Sequence, residues 1–275
     1  MALSKRKRAQ VFRGVQYAIL VAVIVIVAFT ANWGRIADAF LDAEAAGGMF
    51  PGVLTVGLKN TVIYTALGFS FGVVLGLILA LMRLSSVRVY RVLAAIYIEF
   101  FRGLPALLVI LAVGTAIPLA FPGVILDKYV ALMLALGIVG GAYMAETFRA
   151  GLQAVPAGQV EAARSLGMST TKTNTWVVIP QAFKIILPPL TNELILLTKD
   201  SSLALFLGST VDEYELTQYG RVALNQFRSL TPVLVAGVCY LIITIPLSYL
   251  SRYLERRTGG KKISSPESTG LEVAA

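Results

Sequence analysis

Long apolar runs constrain the fold of this chain more than any other feature of its sequence. A helix needs about 20 mostly apolar residues to cross the hydrocarbon core of a membrane. Only 14% of the residues are charged, whereas soluble domains average about 25%. We therefore expect an all-α, polytopic membrane protein with about six transmembrane helices. The candidate spans lie at roughly 14–32, 55–82, 94–117, 129–149, 183–208 and 232–251.

The first apolar run follows a basic cluster, Lys5-Arg6-Lys7-Arg8, which resembles the start of a secretory signal peptide. The stretch from Val15 to Phe29 is long for the apolar part of such a signal. Asn32-Trp33-Gly34-Arg35 after it offers no small-residue cleavage site. We therefore interpret this run as a retained span.

The distribution of basic residues predicts the orientation, because cytoplasmic loops carry an excess of lysine and arginine. With the N-terminus inside, the outer segments hold four basic residues, Arg35, Lys128, Arg221 and Arg228. We therefore predict a multi-pass protein of a bacterial cytoplasmic membrane with both termini in the cytoplasm. The inner segments hold sixteen basic residues: Lys5, Arg6, Lys7, Arg8, Arg13, Arg83, Arg88, Arg91, Arg149, Arg164, Lys172, Arg252, Arg256, Arg257, Lys261 and Lys262.

Composition argues against catalysis in this chain. There is no histidine, and the single cysteine, Cys239, cannot form a zinc cluster. Gly259-Gly260-Lys261-Lys262 is not a phosphate loop, since Glu255 occupies the first glycine position and no Ser or Thr follows the lysine. We expect no enzyme activity and no cofactor here, so any energy input must come from a partner or an ion gradient. Topology and contact with the lipid bilayer explain the net charge of +9, and we expect no nucleic-acid partner.

A short polar helix is predicted over residues 157–166, between two apolar runs. Gly167 suits the left-handed position that ends a helix, and Ser169 or Thr170 could cap a second one. Glu161 and Arg164 are three residues apart and could pair weakly. The orientation places this loop in the cytoplasm.

The order Glu161-Ala162-Ala163, three residues, Gly167, nine residues and then Val177-x-Ile179-Pro180 resembles the EAA loop of ATP-binding-cassette (ABC) importer permeases. The family pattern is E-A-A-x3-G-x9-I-x-L-P, and both departures keep shape and polarity. The resemblance implies that Glu161, Ala162, Ala163 and Gly167 couple the permease to a cytoplasmic ATPase. An ordinary amphipathic connector is the alternative interpretation.

Ionisable residues at membrane depth usually face a bundle interior or a cavity. Glu99-Phe-Phe-Arg-Gly-Leu-Pro105 resembles E-F-F-R-G-T-P of the polar-amino-acid branch of this family, and we interpret Glu99 and Arg102 as an interfacial pair. Glu146 lies in Ala142-Tyr-Met-Ala-Glu-Thr-Phe-Arg149, which resembles A-Y-x-A-E-x-x-R. Glu146 is either paired with Arg149 or a contact for substrate.

The segment from Ile179 to Leu203 resembles the branch pattern P-Q-A-x5-P-P-x-x-N-E followed by K-D-T/S-S-L. Pro188 and Pro189 should kink its helix. Lys199, Asp200, Ser201 and Ser202 would then lie near mid-membrane and could hold a zwitterion. A structural Lys199–Asp200 ion pair is the alternative. Asn192 and Glu193 are weaker candidates for the substrate pathway.

Two other patterns have structural interpretations. Gly68, Gly72 and Gly76 recur every fourth residue, which favours close helix packing within the subunit or against a second permease. The outer segment 209–231 could form a short surface helix. The resemblance implies that it meets an external solute-binding protein, whereas a solvated connector would explain its charges equally well.

We divide the chain into an N-terminal helix with an outer linker (1–54), a five-helix permease core (55–254) with the loop at about 150–180, and a disordered cytoplasmic tail (255–275). The resemblance implies an importer of polar amino acids. Its partners would be an ABC ATPase dimer that binds the ATP, a second permease, identical or related, and an extracytoplasmic amino-acid-binding protein. The alternative is an ion-coupled secondary transporter that uses Glu193 or Asp200.

Overall fold

The computed structural model describes residues 5–123 and 126–258. Within these ranges every regular element is helical, which confirms the all-α prediction. A π-helical turn, Val53–Leu58, leads directly into α4, another, Asn174–Val178, leads into α10, and 3-10 turns cover Ser201–Phe206 and Val211–Glu213. The α-helices are α1 (Lys5–Thr30), α2 (Trp33–Phe40), α3 (Ala43–Gly48), α4 (Lys59–Leu84), α5 (Arg88–Gly103), α6 (Ala106–Ala120), α7 (Lys128–Gln153), α8 (Ala157–Ser165), α9 (Thr170–Thr173), α10 (Ile179–Asp200), α11 (Leu216–Phe227) and α12 (Thr231–Arg257).

Four segments of the described chain are long and apolar enough to cross a membrane: Gln10–Thr30, Val53–Leu84, Lys128–Gln153 and Thr231–Arg257. The predicted span 94–117 is broken, because α5 and α6 meet at 105°. Including this bent pair as one span raises the total to five. The number six is therefore not confirmed.

The break between α5 and α6 falls at Leu104 and Pro105. Leu104 is extended, with φ −95° and ψ 139°. Proline disfavours helical backbone in the residue before it and has no N–H to donate, so the helix ends here and a new one begins. The sequence Gly103-Leu104-Pro105 thus turns the chain inside an apolar run.

The segment predicted as the span 183–208 is α10 followed by the 3-10 turn. It is not among the helices apolar enough to cross a membrane, since Lys184, Asn192 and Glu193 interrupt its apolar character. α10 continues through Pro188 and Pro189, so the two prolines do not end the helix, and the kink predicted there stays a prediction. The regular α-helix ends only after Asp200.

The glycine-rich face of α4 packs against α7 in the same subunit. A Cβ atom built on Gly68 would lie 2.7 Å from Cβ of Leu136, and one on Gly76 would lie 2.9 Å from the carbonyl oxygen of Gly141. The small residues therefore allow the two backbones to approach closely. Of the two packing partners predicted for this face, the structure shows the one within the subunit.

The N-terminal segment contacts the core through α2 and α3. Leu230 N–H donates to the Ala39 carbonyl at 2.8 Å, and Asp42 N–H donates to Thr231 Oγ1 at 2.9 Å. In contrast, none of the apolar window of α1 is buried. The predicted outer linker is therefore two short helices attached to the start of α12.

The predicted tail 255–275 begins too early. Residues 255–257 belong to α12, because the helix continues from its apolar part into a basic last turn and ends at Arg257. Residues 259–275 lie outside the described residues.

Candidate coupling loop and substrate pathway

The polar helix α8 ends in a Schellman motif. Gly167 has φ +82°, and its N–H donates to the Arg164 carbonyl at 3.0 Å. Met168 N–H donates to the Ala163 carbonyl at 3.1 Å, which gives the paired bonds that define the motif. Ser169 then caps α9 by accepting Lys172 N–H at 3.3 Å. The predicted helix end and second cap are both confirmed.

The predicted coupling residues do not all face outward. Glu161, Ala162 and Gly167 are exposed, whereas Ala163 is only 5% exposed and packs inward. The loop also presents two large apolar side chains, since Leu166 is 85% exposed and Trp176 is 74% exposed. Sequence reasoning proposed neither as a contact residue, although both lie inside the quoted motif.

The predicted pair between Glu161 and Arg164 is not formed. Arg164 Nη1 instead donates to the Met168 carbonyl at 2.6 Å, because the Schellman turn brings that carbonyl back over the last helical turn. Within the part of the chain that the structure describes, the only ion pair joins Arg149 and Glu146. Glu161 therefore leaves its carboxylate exposed on the surface of α8.

A glutamine pair joins the loop to the membrane-facing helices. Gln181 Nε2 donates to Gln159 Oε1 at 2.9 Å and to the Val177 carbonyl at 2.9 Å. Gln159 belongs to α8 and Gln181 to the first turn of α10. These hydrogen bonds connect α8 to α10, which carries most of the pathway candidates.

A cavity of about 310 Å³ lies beside the break between α5 and α6. Leu104 and Pro105 line one side, Tyr143 of α7 a second, and Glu193 and Asp200 of α10 a third. The two carboxylates are seven residues apart, which is two helical turns, so they share one face of α10. The structure thus brings together two of the predicted pathway residues.

The Lys199–Asp200 ion pair, the alternative interpretation of this segment, is not formed. Adjacent residues on a helix point about 100° apart and do not face each other. Lys199 is exposed, whereas Asp200 lines the cavity. Ser201 is buried and donates to the Thr198 carbonyl at 2.7 Å, while Ser202 is partly buried. The four residues 199–202 therefore do not converge on one site within this chain.

The remaining polar candidates are Glu146, Asn192 and the Glu99–Arg102 pair. Glu146 Oε2 lies 2.6 Å from Arg149 Nη2, which confirms the predicted salt bridge. Asn192 Oδ1 accepts a hydrogen bond from Ser251 Oγ at 3.0 Å, which attaches α12 to α10. The predicted Glu99–Arg102 pair is not formed, because the Arg102 guanidinium lies over the Tyr143 ring, 5.4 Å from its centroid.

Tyr143 is a site residue that sequence reasoning missed. It lines the cavity, and its hydroxyl donates to the Arg102 carbonyl at the end of α5, at 3.3 Å. Its place in the quoted Ala-Tyr-Met-Ala-Glu motif, three residues before Glu146, was the available signal.

At the N-terminal end of α4, two buried side chains hydrogen-bond to the segment that precedes α11. Asn60 Nδ2 donates to the carbonyls of Asp212 at 2.7 Å and Tyr214 at 3.0 Å. Tyr64 Oη donates to the Glu213 carbonyl at 2.8 Å. The predicted short surface helix is confirmed as α11, and these bonds fix the start of the chain that leads into it.

Glu215 caps α11 from a fully buried position. Its carboxylate accepts the N–H groups of Thr217 and Gln218, both at 2.6 Å, and the Tyr240 hydroxyl at 2.8 Å. Burial raises the pKa of Glu215 above its ordinary value, while these hydrogen bonds oppose the rise. Glu215 is therefore a structural residue, although the sequence had suggested a solvated connector.

The motif, the helical fold and the exposed polar loop agree with what comparison with known proteins shows. Residues 72–260 match the family described as "Binding-protein-dependent transport system inner membrane component". The chain belongs to this family. It is an integral inner-membrane protein, the permease component of an ABC transporter, and ATP hydrolysis belongs to a separate subunit.

Relatives more than 30% identical to the chain include amino-acid permeases. The chain is 37% identical to the arginine transport system permease protein ArgU of Corynebacterium glutamicum, over 78% of this chain and 71% of that protein. It is 34% identical to the glutamine transport system permease protein GlnP of Escherichia coli, over 74% and 92% respectively. A chain in the crystal structure of an amino acid ABC transporter with histidines matches with TM-score 0.70 and 34% identity, covering 78% of this chain and 98% of that one.

The chain is therefore a permease subunit of an amino-acid ABC importer. Such an importer implies an ATPase and a substrate-binding protein as partners. This membership favours ATP-driven import over the ion-coupled carrier that the sequence left open.

Proposed function

We propose that this permease carries a polar amino acid into the cell, with both termini in the cytoplasm and the loop at about 150–180 docked on an ATPase dimer. That dimer binds the ATP. A second permease, identical or related, completes the pathway, and an external binding protein delivers the solute. The excess of basic residues at the inner segments supports the orientation. The arginine and glutamine permeases among its relatives support a polar substrate.

The observation that carries the coupling proposal is the exposed helix α8, closed by Gly167 and joined to α10 through Gln159 and Gln181. Glu161 and Ala162 offer an anionic side chain and a close approach to the backbone, while Leu166 adds exposed apolar surface. Ala163 supports the helix from inside. Closure of the ATPase would displace α8 and pull on the first turn of α10.

The substrate pathway in this proposal passes the cavity beside the α5–α6 break. Glu193 and Asp200 provide two carboxylates there, and one of them would meet the ammonium group of the amino acid. Tyr143 adds a hydroxyl at the cavity wall. Asn192 supports the wall through Ser251, and Lys199 and Ser202 stay available to a partner subunit or to water. Because Glu146 is engaged by Arg149, we place it outside the pathway.

Substitutions at Gly167 test the coupling proposal. A Cβ atom at this position would meet nothing within 4 Å, so any loss must come from the positive φ or from a partner. Asn and Asp both tolerate left-handed backbone better than other residues, and they differ in charge. We expect Gly167→Asp to lose the ATPase in a mild-detergent pull-down and to abolish uptake, while Gly167→Asn keeps both.

Gly158 supplies a further control, because its added Cβ would also meet nothing within 4 Å and its φ is ordinary. Gly158→Asp adds the same charge at the start of α8, where a negative charge suits the helix dipole. We expect this variant to retain the ATPase. Wild-type uptake by Gly167→Asp would refute the coupling role of the loop.

Glu193→Gln and Asp200→Asn test the pathway proposal separately. Each should reduce uptake by about ten-fold or more while leaving the ATPase bound, because loss of a hydrogen bond to a charged group costs about 1.5–3 kcal/mol. Lys199→Gln is the matched control, since Lys199 is on α10 but does not line the cavity. If uptake by Glu193→Gln and by Asp200→Asn equals uptake by Lys199→Gln, the cavity is excluded as the route.

A further inference from the structure

The last two turns of α12 carry an arginine and tyrosine face that the transport proposal does not use. Tyr249, Arg252, Tyr253 and Arg256 recur at helical spacing on one side, and Arg257 follows at its edge. Tyr249 is 66% exposed and Tyr253 is 51% exposed. All three arginines are exposed as well. We call these five residues the α12 basic face.

Contacts on the other side of α12 determine where this face points. Ser251 is 3% exposed and hydrogen-bonds to Asn192 Oδ1 of α10 at 3.0 Å. On a helix of about 100° per residue, Ser251 lies roughly 160° from Tyr249 and Arg256 lies close to Tyr249. The basic face is therefore turned away from the helix that α12 packs against.

The arginines are held in place by the aromatic rings. The guanidinium carbon of Arg252 lies 4.5 Å from the Tyr249 ring centroid, and that of Arg257 lies 5.0 Å from the Tyr253 centroid. Stacking fixes a guanidinium group but leaves its N–H donors free for an anion. Glu255 is three residues from Arg252, yet no described acidic residue forms an ion pair with this face.

The depth of the face suits the lipid headgroups. α12 has 27 residues, which is about 40 Å, whereas the hydrocarbon core is about 30 Å thick. If Thr231 lies at one boundary, the chain from about Tyr249 onward lies among the headgroups of the other leaflet. Tyrosine is enriched at that level, and arginine there meets lipid phosphate.

We propose that the α12 basic face is a binding site for an anionic phospholipid of the inner leaflet. Arg252 and Arg256 contact the headgroup phosphate, Arg257 borders it, and the two tyrosines lie against the glycerol region. The assignment to the inner leaflet rests on the proposed orientation, but binding itself does not depend on transport. Because Ser251 and Asn192 hydrogen-bond, the bound lipid would touch the helix that packs next to the pathway residues of α10.

The test measures which lipids stay with the purified full-length permease and its co-purifying subunits. The protein is equilibrated in detergent with equal amounts of phosphatidylglycerol and phosphatidylcholine, and retained lipids are quantified by mass spectrometry. Wild-type protein should retain phosphatidylglycerol preferentially. In Arg252→Gln/Arg256→Gln this preference should fall by roughly 25-fold, because each arginine near an anionic surface contributes about a factor of five.

The matched control is Arg88→Gln/Arg91→Gln, which removes the same charge from exposed arginines at the start of α5. It should keep the preference. Arg256→Gln alone, with an expected fall of about five-fold, repeats the test with a smaller perturbation to folding. An unchanged preference in the α12 variants, or an equal fall in the control, overturns the proposal. Loss of the ATPase with lipid preference intact would also overturn it, since the face would then bind a protein.

Discussion

Replacement of Gly76 by alanine tests the packing that holds α4 against α7. A Cβ atom at Gly76 would lie 2.9 Å from the Gly141 carbonyl oxygen, 2.9 Å from Met144 Cβ and 3.1 Å from Ala145 N. None of these atoms is the end of a flexible side chain. The clash can therefore be relieved only if the two helices separate, which would disturb the contacts along their shared interface.

The expected cost follows from two opposing contributions. Overpacking a close interface costs about 1–3 kcal/mol, and alanine recovers at most about 1 kcal/mol through its higher helix propensity. Because backbone atoms cannot move aside, we take the upper half of the overpacking range, about 2–3 kcal/mol, and the net loss in the free energy of unfolding is then about 1–2 kcal/mol. For a chain of this size, that lowers the Tm by about 2–8 °C.

The assay is a thermal unfolding curve of the purified permease in detergent, with size-exclusion chromatography of the same sample. Gly237→Ala is the control, because Gly237 is also in a long helix and its added Cβ would meet nothing within 4 Å. Its Tm should equal or slightly exceed that of the wild type. If Gly76→Ala unfolds at the wild-type Tm, or only dissociates the oligomer, the assignment of this face to packing within the subunit is refuted.

Four other substitutions test contacts described above. Asn60→Ala should lower the free energy of unfolding by about 2–3 kcal/mol and speed hydrogen exchange at residues 210–216, since it removes the donor to the carbonyls of Asp212 and Tyr214. Tyr64→Phe should cost about 1 kcal/mol. The raised pKa of Glu215 means that the native state binds this proton more tightly than the unfolded state does. The stability that this proton contributes is therefore present below the ordinary glutamate pKa and is lost as pH rises through the raised pKa. Glu215→Gln should therefore flatten the rise of Tm on acidification, and an unaltered slope would contradict the assignment. Ser251→Ala should lower the Tm by an amount equivalent to about 1 kcal/mol, measured in the same unfolding assay.

Some features followed from local sequence because their physics is local. Gly167 and Ser169 were predicted as a helix end and a cap, and both were confirmed. The Glu146–Arg149 pair was likewise predicted from a three-residue spacing on one helix. A helix end depends on the backbone freedom of one residue, and a pair on the same helix depends only on the helical repeat.

Other features could not be predicted because they depend on contacts between distant segments. The Lys199–Asp200 pair was plausible in sequence, but the helix directs Asp200 toward the cavity and Lys199 elsewhere. Glu215 looked solvated until Tyr240 of another helix covered it. In both cases the burial of a charge is set by neighbours that are remote along the chain.

The sequence by itself determined that this is a helical membrane protein with a polar helix that ends at Gly167, because apolar length and local helix signals decide those features. Only the tertiary structure decided which charges face the cavity, that the chain turns by 105° at Pro105, and that the glycine face of α4 contacts α7 rather than another subunit. Those outcomes depend on how helices pack side by side. The sequence of one helix does not specify this packing, since each helix has several faces that could contact a neighbour. Which face is buried depends on the other helices of the bundle.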